Sequence, residues 1–268
     1  MLKFISFGSG SSGNCYYLFT ETDGLLIDSG IGVRALKKGF SQKGLRMDMV
    51  HNILVTHDHA DHIKSVGNVS AENDIPVYST RVVHDGIHRN FYVHTKVPPK
   101  LVRYLEKDVT TKIGDFIVTP FDVPHDSADN VGYCVEFQGV IFCIITDIGE
   151  ITTEIRRYIG KAQYLVIESN HDEQMVISGK YPDYLKKRIL GNRGHLSNAN
   201  CGLALAENMK ESLRQVWLCH LSEENNHPEL ARKTVETILR SHGIVPGKDI
   251  KLEVLGRKTP SYIFTLSP

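Results

Sequence analysis

Asn52-Ile53-Leu54-Val55-Thr56-His57-Asp58-His59-Ala60-Asp61-His62 is the stretch on which the reading of this chain turns. The apolar run 52–55 has the character of a buried strand. Immediately after it, four side chains able to bind a metal, His57, His59, Asp61 and His62, fall within six positions. On extended backbone, alternate side chains point the same way, so His57 and His59 can grip one ion. If the chain then turns into a helix, Asp61 and His62 can face a second. A polar loop that carries histidines by chance is the competing reading. The density of imidazole and carboxylate ligands, a set that suits zinc or manganese, argues against it.

Outward from that stretch, the first quarter is rich in strands: residues 2–7, 15–20 and 25–27, the last ending at Asp28, with a turn Gly8–Asn14 (GSGSSGN) between the first two. A short helix is expected over 33–40, another over 60–66 after the motif, and a short strand over 76–78. Residues 81–112 give no clear periodicity, and the stretch with Pro98 and Pro99 reads as loop. A second strand-rich run follows over 116–123, 131–137 and 140–146. The last is continuously apolar, as a strand covered on both faces should be. A helix over 151–159 leads to a strand over 164–167 that ends at Glu168. A helix over 199–209 is capped by Ser197 or Asn198, and a strand over 216–219 ends at His220. A long helix over 228–241 has proline in its first turn. Strands at 252–254 and 262–266 close the chain. Two strand-rich halves trimmed with helices predict two packed sheets with helices outside. With no repeat, linker or break in composition, one domain over 1–268 is expected.

Composition bounds the function. The 268 residues carry 31 basic and 31 acidic side chains, so the formal net charge is zero. That disfavours a nonspecific nucleic-acid coat while leaving room for a local basic groove. The opening Met1-Leu2-Lys3-Phe4-Ile5-Ser6 is too short and polar for a secretory segment, and no apolar run approaches the ~18 residues of a membrane span. The five cysteines form no C-x-x-C pair and sit mostly in apolar runs, as buried free thiols of a reducing cytoplasm would.

An apolar strand ending in an ionisable residue recurs at Asp28, His57, His125, Asp147, Glu168 and His220. Any one of these can be a strand's polar exit into solvent. As a set, beside H-x-H-x-D-H, they point to one shared site at a sheet edge.

The order Asp28, His57-x-His59-x-Asp61-His62, His125, Asp147, His220 resembles the metallo-β-lactamase superfamily over essentially the whole chain. Ser9-Gly10-Ser11-Ser12-Gly13-Asn14, Glu168-Ser169-Asn170-His171-Asp172, Gly194-His195-Leu196-Ser197-Asn198 and residues 220–226 (HLSEENN) are similar to the bacterial YycJ/WalJ family of 5′-to-3′ exonucleases. The resemblance implies an α/β fold, a four-layer αββα sandwich, with two divalent metal ions at one sheet edge. His57, His59 and His125 would hold the first; Asp61, His62 and His220 the second. Asp147 would bridge them, with a hydroxide as the second bridge, and Asp28 would orient a ligand imidazole by hydrogen bond. The donors suit zinc first, with manganese or iron as alternatives. His59 stands where the oxygen-reducing diiron branch usually has Glu, which favours hydrolysis.

For chemistry, the resemblance implies attack on a phosphodiester, with catalytic roles for Asp61, His195 and Glu168. His195 precedes a helix N-terminus, where anions are favoured, and is the candidate donor to the leaving oxygen. Glu168 would hold or tune a histidine. His171 either contacts substrate or caps a helix. The GSGSSGN turn lacks the Lys-Ser/Thr ending of a nucleotide loop. It is either a plain hairpin turn or a loop whose Ser11, Ser12 and Asn14 touch a phosphate. Arg193 and Ser197 are further substrate candidates. Lys186, Lys187, Arg188 and Arg193 either face solvent or form a basic ramp toward the metals. The chain is too short for the inserted domain of RNase J, and it lacks the long glycine- and proline-rich arm of RNase Z, so a DNA end, a single strand or a small phosphodiester suits it better than folded RNA. Three readings stay open: a cytoplasmic DNA exonuclease; a small-molecule hydrolase acting on a cyclic phosphodiester, lactone or thioester; and a sensor without turnover. The sequence leaves the oligomeric state open.

Overall fold

The structure, a computed structural model, describes residues 1–268. The first half contains β1 (Leu2–Gly8), β2 (Cys15–Phe19), β3 (Gly24–Ile27), α1 (Val33–Gln42), β4 (Asn52–Leu54), α2 (Ala60–Ile63), α3 (Val66–Asn73), β5 (Val77–Ser79), α4 (Arg81–Arg89) and β6 (Val102–Tyr104). There follow β7 (Thr111–Ile113), β8 (Phe116–Asp122), β9 (Val131–Phe137), β10 (Val140–Ile145), α5 (Thr153–Lys161), β11 (Tyr164–Glu168), α6 (Glu173–Ser178) and α7 (Asp183–Ile189). The chain ends with α8 (Asn198–Asn208), β12 (Gln215–Cys219), α9 (Pro228–Ser241), β13 (Lys251–Val254) and β14 (Phe264–Leu266).

Fourteen strands divide into two sheets of seven, ordered β14-β1-β2-β3-β4-β5-β6 and β13-β12-β11-β10-β9-β8-β7. Each sheet is antiparallel on one side and parallel on the other, the change falling at β3 in the first and β10 in the second. Three apolar clusters fill the spaces between layers. One lies between the sheets, with Phe4, Phe142 and Trp217 in mutual ring contact. A second packs α1, α3 and α4 on the first sheet, and a third packs α5, α8 and α9 on the other. This is the expected αββα order, and the doubly covered strands β2, β3, β10 and β11 have the continuous apolar sequences that such burial requires.

Several local expectations need correction. The helix expected over 60–66 breaks after Ile63 and restarts at Val66. At the break, the Ser65 hydroxyl bonds to the Ser29 and Ile31 carbonyls, 3.0 and 2.5 Å away, and so ties the motif to the loop after β3. Residues 81–112 hold α4, β6 and the start of β7. Thr80 caps α4 by accepting the Val83 N–H, and the strands are too short to show periodicity. The helix expected from 151 begins at Thr153, where Thr152 caps it.

The strand ends converge as expected. β3, β4, β8, β10, β11 and β12 run in compatible directions, so the residues at or just beyond their C-terminal ends share one edge of the sandwich. Asp28 and His220, the first residues past β3 and β12, and Asp147, the second past β10, have left-handed backbone, φ 59°, 53° and 56°. Non-glycine residues there cost energy and collect at functional sites. The turn aims each side chain back over the strand end rather than letting it alternate away. Gly30 permits the closest approach: a Cβ on it would lie 1.6 Å from the Asp61 carbonyl oxygen, so only glycine lets the β3 loop pass the motif.

Candidate metal centre

Around this edge the ligand atoms of His57, His59 and His125 lie within 4.8 Å of one another, as do those of Asp61, His62 and His220, and those of His57, His62 and Asp147. Two donor groups therefore meet at Asp147. Four of the five imidazoles, all but His59, are turned by a partner on the far nitrogen. His125 Nδ1 lies 2.9 Å from the Gly194 carbonyl, His62 Nδ1 2.7 Å from Asp28 Oδ2, and His220 Nδ1 2.9 Å from Glu168 Oε1. His57 Nδ1 lies 3.0 Å from the Thr56 hydroxyl, while its buried Nε2 has no protein partner. An orphaned buried nitrogen is costly, and a cation is the partner that suits it.

Electrostatics separates the two groups. Burial, with His62 close by, holds the His57 imidazole well below its usual pKa; burial also lowers His59 and His125. These three are neutral rings with lone pairs to offer. At the other group, burial pushes His62 and His220 down but the carboxylates win. Asp147 and Asp28 raise His62 well above its usual value, and Asp147, Asp61 and Glu168 raise His220 to about 10. Four carboxylates, Asp28, Asp61, Asp147 and Glu168, crowd this edge, and their negative charge suits divalent cations. The residues present thus fit divalent metal ions.

Glu168 is the hub of the second half. One oxygen accepts the Ile148 and Leu196 N–H groups at 2.7 and 3.0 Å; the other faces His195 Nδ1 at 2.8 Å as well as His220. Burial pushes its carboxyl up, yet His195 and His220 hold it at about 2. His195 is lowered by burial but raised further by Glu168 and Asp147, so the net shift is upward. Its Nδ1 lies 3.7 Å from Asp147.

A cleft of about 230 Å³ opens over Asp61, Asp147, His59 and His220, with Ser11, His195, Tyr181 and Arg188 on its rim. Ser11 is thus beside the metal ligands. Ser12 lines a different groove, near Lys38 and Arg257. Asn14 is buried and its amide nitrogen lies 2.9 Å from His62 Nε2 and 3.3 Å from Asp61 Oδ2, so it touches the ligand set rather than the open cleft. Arg193 donates to the His125 carbonyl at 2.9 Å, and Ser197 caps α8 while donating to Glu173. His171 lies outside the cleft. Of the basic run, Lys186 bonds to the Ile177 carbonyl and Arg188 pairs with Asp126, while Lys187 is exposed.

Sequence reasoning missed four residues here. Thr56 gives its N–H and hydroxyl to Asp28 at 2.8 and 2.9 Å. Asn130 donates to the Asp147 carbonyl at 3.0 Å, and a single bridge joins it to His57. Asp126 lies 3.3 Å from His125 and 3.7 Å from His59, and Asn170 donates to the His220 carbonyl. Adjacency to a ligand was the available signal for Thr56 and Asp126.

With fold and site in view, comparison with known proteins gives the class: residues 24–221 match the β-lactamase superfamily domain, and the chain belongs to that superfamily of metal-dependent hydrolases. More narrowly, it is 34% identical over 262 residues to exodeoxyribonuclease YycJ of Bacillus anthracis, covering 98% of each chain. It is 30% identical over 250 residues to exodeoxyribonuclease WalJ of Streptococcus pneumoniae serotype 2, covering 93% of each. Among solved structures, Zn(2+)-bound PqqB from Methylobacterium extorquens shares the fold, with a TM-score of 0.72 at 14% identity, over 97% of this chain and 99% of that one.

Proposed function

We propose that this chain is a dinuclear metal-dependent phosphodiesterase that digests DNA from 5′ ends. The observation that carries the reading is the Glu168–His195 pair, 2.8 Å apart, standing beside two donor groups that meet at Asp147. The names of the YycJ and WalJ relatives support the choice of DNA as substrate. His57, His59 and His125 would hold one cation, Asp61, His62 and His220 the other, with Asp147 shared and zinc preferred over manganese or iron for this donor set. When bound, such a pair supplies Lewis acidity, bringing water toward deprotonation near neutral pH and offsetting charge on a phosphate.

The chain's own groups do the rest. Glu168 fixes Nδ1 of His195 and favours its protonated form, so Nε2–H is the group left to donate to the leaving oxygen. As water gives up a proton to solvent and adds to phosphorus, the bond to the leaving oxygen would break and the His195 proton would neutralise the alkoxide, the ring then regaining a proton from solvent. Asp28 and Glu168 keep the rings of His62 and His220 aimed inward, and Asn14 steadies Asp61. Residues 1–268 would act as one domain, because β14 returns to pair with β1. Five buried, unpaired cysteines suit a reducing cytoplasm, and no helix is long and apolar enough to cross a membrane.

The test is hydrolysis of 5′-labelled duplex and single-stranded DNA beside bis-p-nitrophenyl phosphate and a lactone panel, with zinc and with manganese, using His195→Ala as control. Terminal nucleotide release, reduced at least a hundredfold by the substitution, is expected. Turnover of lactones or small diesters alone would assign a small-molecule hydrolase instead.

A further inference from the structure

A second cavity, of about 350 Å³, backs onto the metal cleft, and the two share His195 as a common wall. The partition is built from neighbouring residues that face opposite ways. Asn170 lines the cleft and His171 the cavity; Ile189 lines the cleft and Leu190 the cavity. His171 is 1% exposed, and neither of its ring nitrogens has a protein partner. A buried imidazole left with an unmet donor and acceptor is costly, so its presence on a cavity wall marks a place where a ligand completes the hydrogen bonding. Burial holds this imidazole at about 4, so the ring is neutral near pH 7 and presents one donor and one acceptor.

The rest of the lining selects among ligands. Ile151, Leu190 and Leu203 give apolar surface, while Asn192 and Asn200 add amides. Glu150, Glu173 and Glu207 outnumber the one guanidinium, Arg156, which is itself paired with Glu207. That balance disfavours a phosphate and suits a neutral, flat, hydrogen-bonding group. Resting on the phosphodiesterase reading above, we infer that this cavity is the subsite for the terminal nucleoside of the DNA strand, with His171 hydrogen-bonding its base. The geometry agrees with the chemistry. If water adds to phosphorus so that the shortened strand keeps the 5′-phosphate, the oxygen that leaves is the 3′ oxygen of the terminal nucleoside. That oxygen takes the proton from His195, so the departing nucleoside lies on the side of His195 away from the metals, where the cavity is.

Two variants test this on the metal-loaded protein: His171→Phe, which keeps the ring's bulk and removes its hydrogen bonds, and Leu203→Trp, which fills the cavity from its rim. Binding of deoxyadenosine and thymidine is measured by calorimetry, and kcat and KM on a short DNA strand are measured alongside metal content. The wild type should bind a nucleoside saturably. Both variants should weaken that binding at least tenfold and raise KM on DNA about tenfold, with metal content retained and a smaller change in kcat. Failure of the wild type to bind either nucleoside, or unchanged KM in both variants, would overturn the assignment. Nucleoside binding lost in the variants, in a protein that does not cut DNA, would support the pocket and refute the nuclease reading.

Discussion

Replacing Glu168 by glutamine changes one atom and should uncouple two histidines at once. In the wild type, one carboxylate oxygen accepts two backbone N–H groups, from Ile148 and Leu196. In the variant the amide oxygen must take that place, because an NH2 there would face two donors. The NH2 then falls where the other oxygen was, 2.8 Å from His195 Nδ1 and 2.9 Å from His220 Nδ1. Both rings must turn Nδ1 into an acceptor, which moves the proton of a neutral ring to Nε2. For His220 that blocks the nitrogen facing Asp61, 3.2 Å away, where the second cation would bind. For His195 it removes the carboxylate that favours the protonated ring. Hydrogen bonds to a charged group contribute ~1.5–3 kcal/mol each, so about 3–6 kcal/mol of orienting interaction is at stake. Losing one such outer partner typically weakens metal binding ~10–100-fold, and losing a general acid lowers the rate ~10²–10⁴-fold. The assay is metal content after dialysis against a weak chelator, together with kcat on DNA. Loss of one metal equivalent and a kcat drop of at least two orders of magnitude are expected. Two retained metals with kcat within threefold of wild type would refute the hub role of Glu168.

Thr56→Val keeps the shape of a fully buried side chain but removes the 2.9 Å bond to Asp28; a cost of about 1.5–3 kcal/mol lowers Tm by roughly 3–10 °C for a chain of this size, and an unchanged Tm would show that Asp28 is held without it. The pH dependence of stability carries a signature of His171. Burial puts its folded pKa at about 4, below the ~6.5 of an unfolded histidine, so the unfolded chain binds the proton more readily. Its stabilising share is complete above about pH 6.5, declines as pH falls, reaches a loss of about 2 kcal/mol at pH 5, and levels off below the folded pKa. Urea unfolding from pH 7 to 5 should therefore be less acid-sensitive in His171→Gln than in the wild type; parallel curves would contradict the buried, neutral imidazole.

Much of this architecture was legible because it rests on short-range patterns. The doubly buried strands β10 and β11 are written as unbroken apolar runs, and Asp28, Glu168 and His220 each follow such a run directly. The helix over 228–241 was equally plain from the proline in its first turn. What could not be read depends on contacts between distant residues. Nothing local distinguishes Ser65 as the point where the helix after the motif breaks; its hydroxyl is drawn to carbonyls some 34 residues away. Three-residue strands such as β6 and β7 are fixed by their neighbours rather than by pattern. Asn14 looked like a loop residue poised for substrate, yet folding brings its amide against Asp61 and His62. Asn130 carries no mark in the sequence at all; its bond to the Asp147 carbonyl and its bridge to His57 reveal it.

The claim on which everything rests is that seven side chains gather a pair of cations around Asp147. Diffraction from metal-soaked crystals, collected above and below the zinc and manganese absorption edges, tests it directly, with Asp147→Ala as control. Two anomalous peaks are expected, roughly 3.5–4 Å apart, one among His57, His59 and His125 and the other among Asp61, His62 and His220, with the control losing at least one. A single peak, or a pair that persists unchanged without Asp147, would contradict the account.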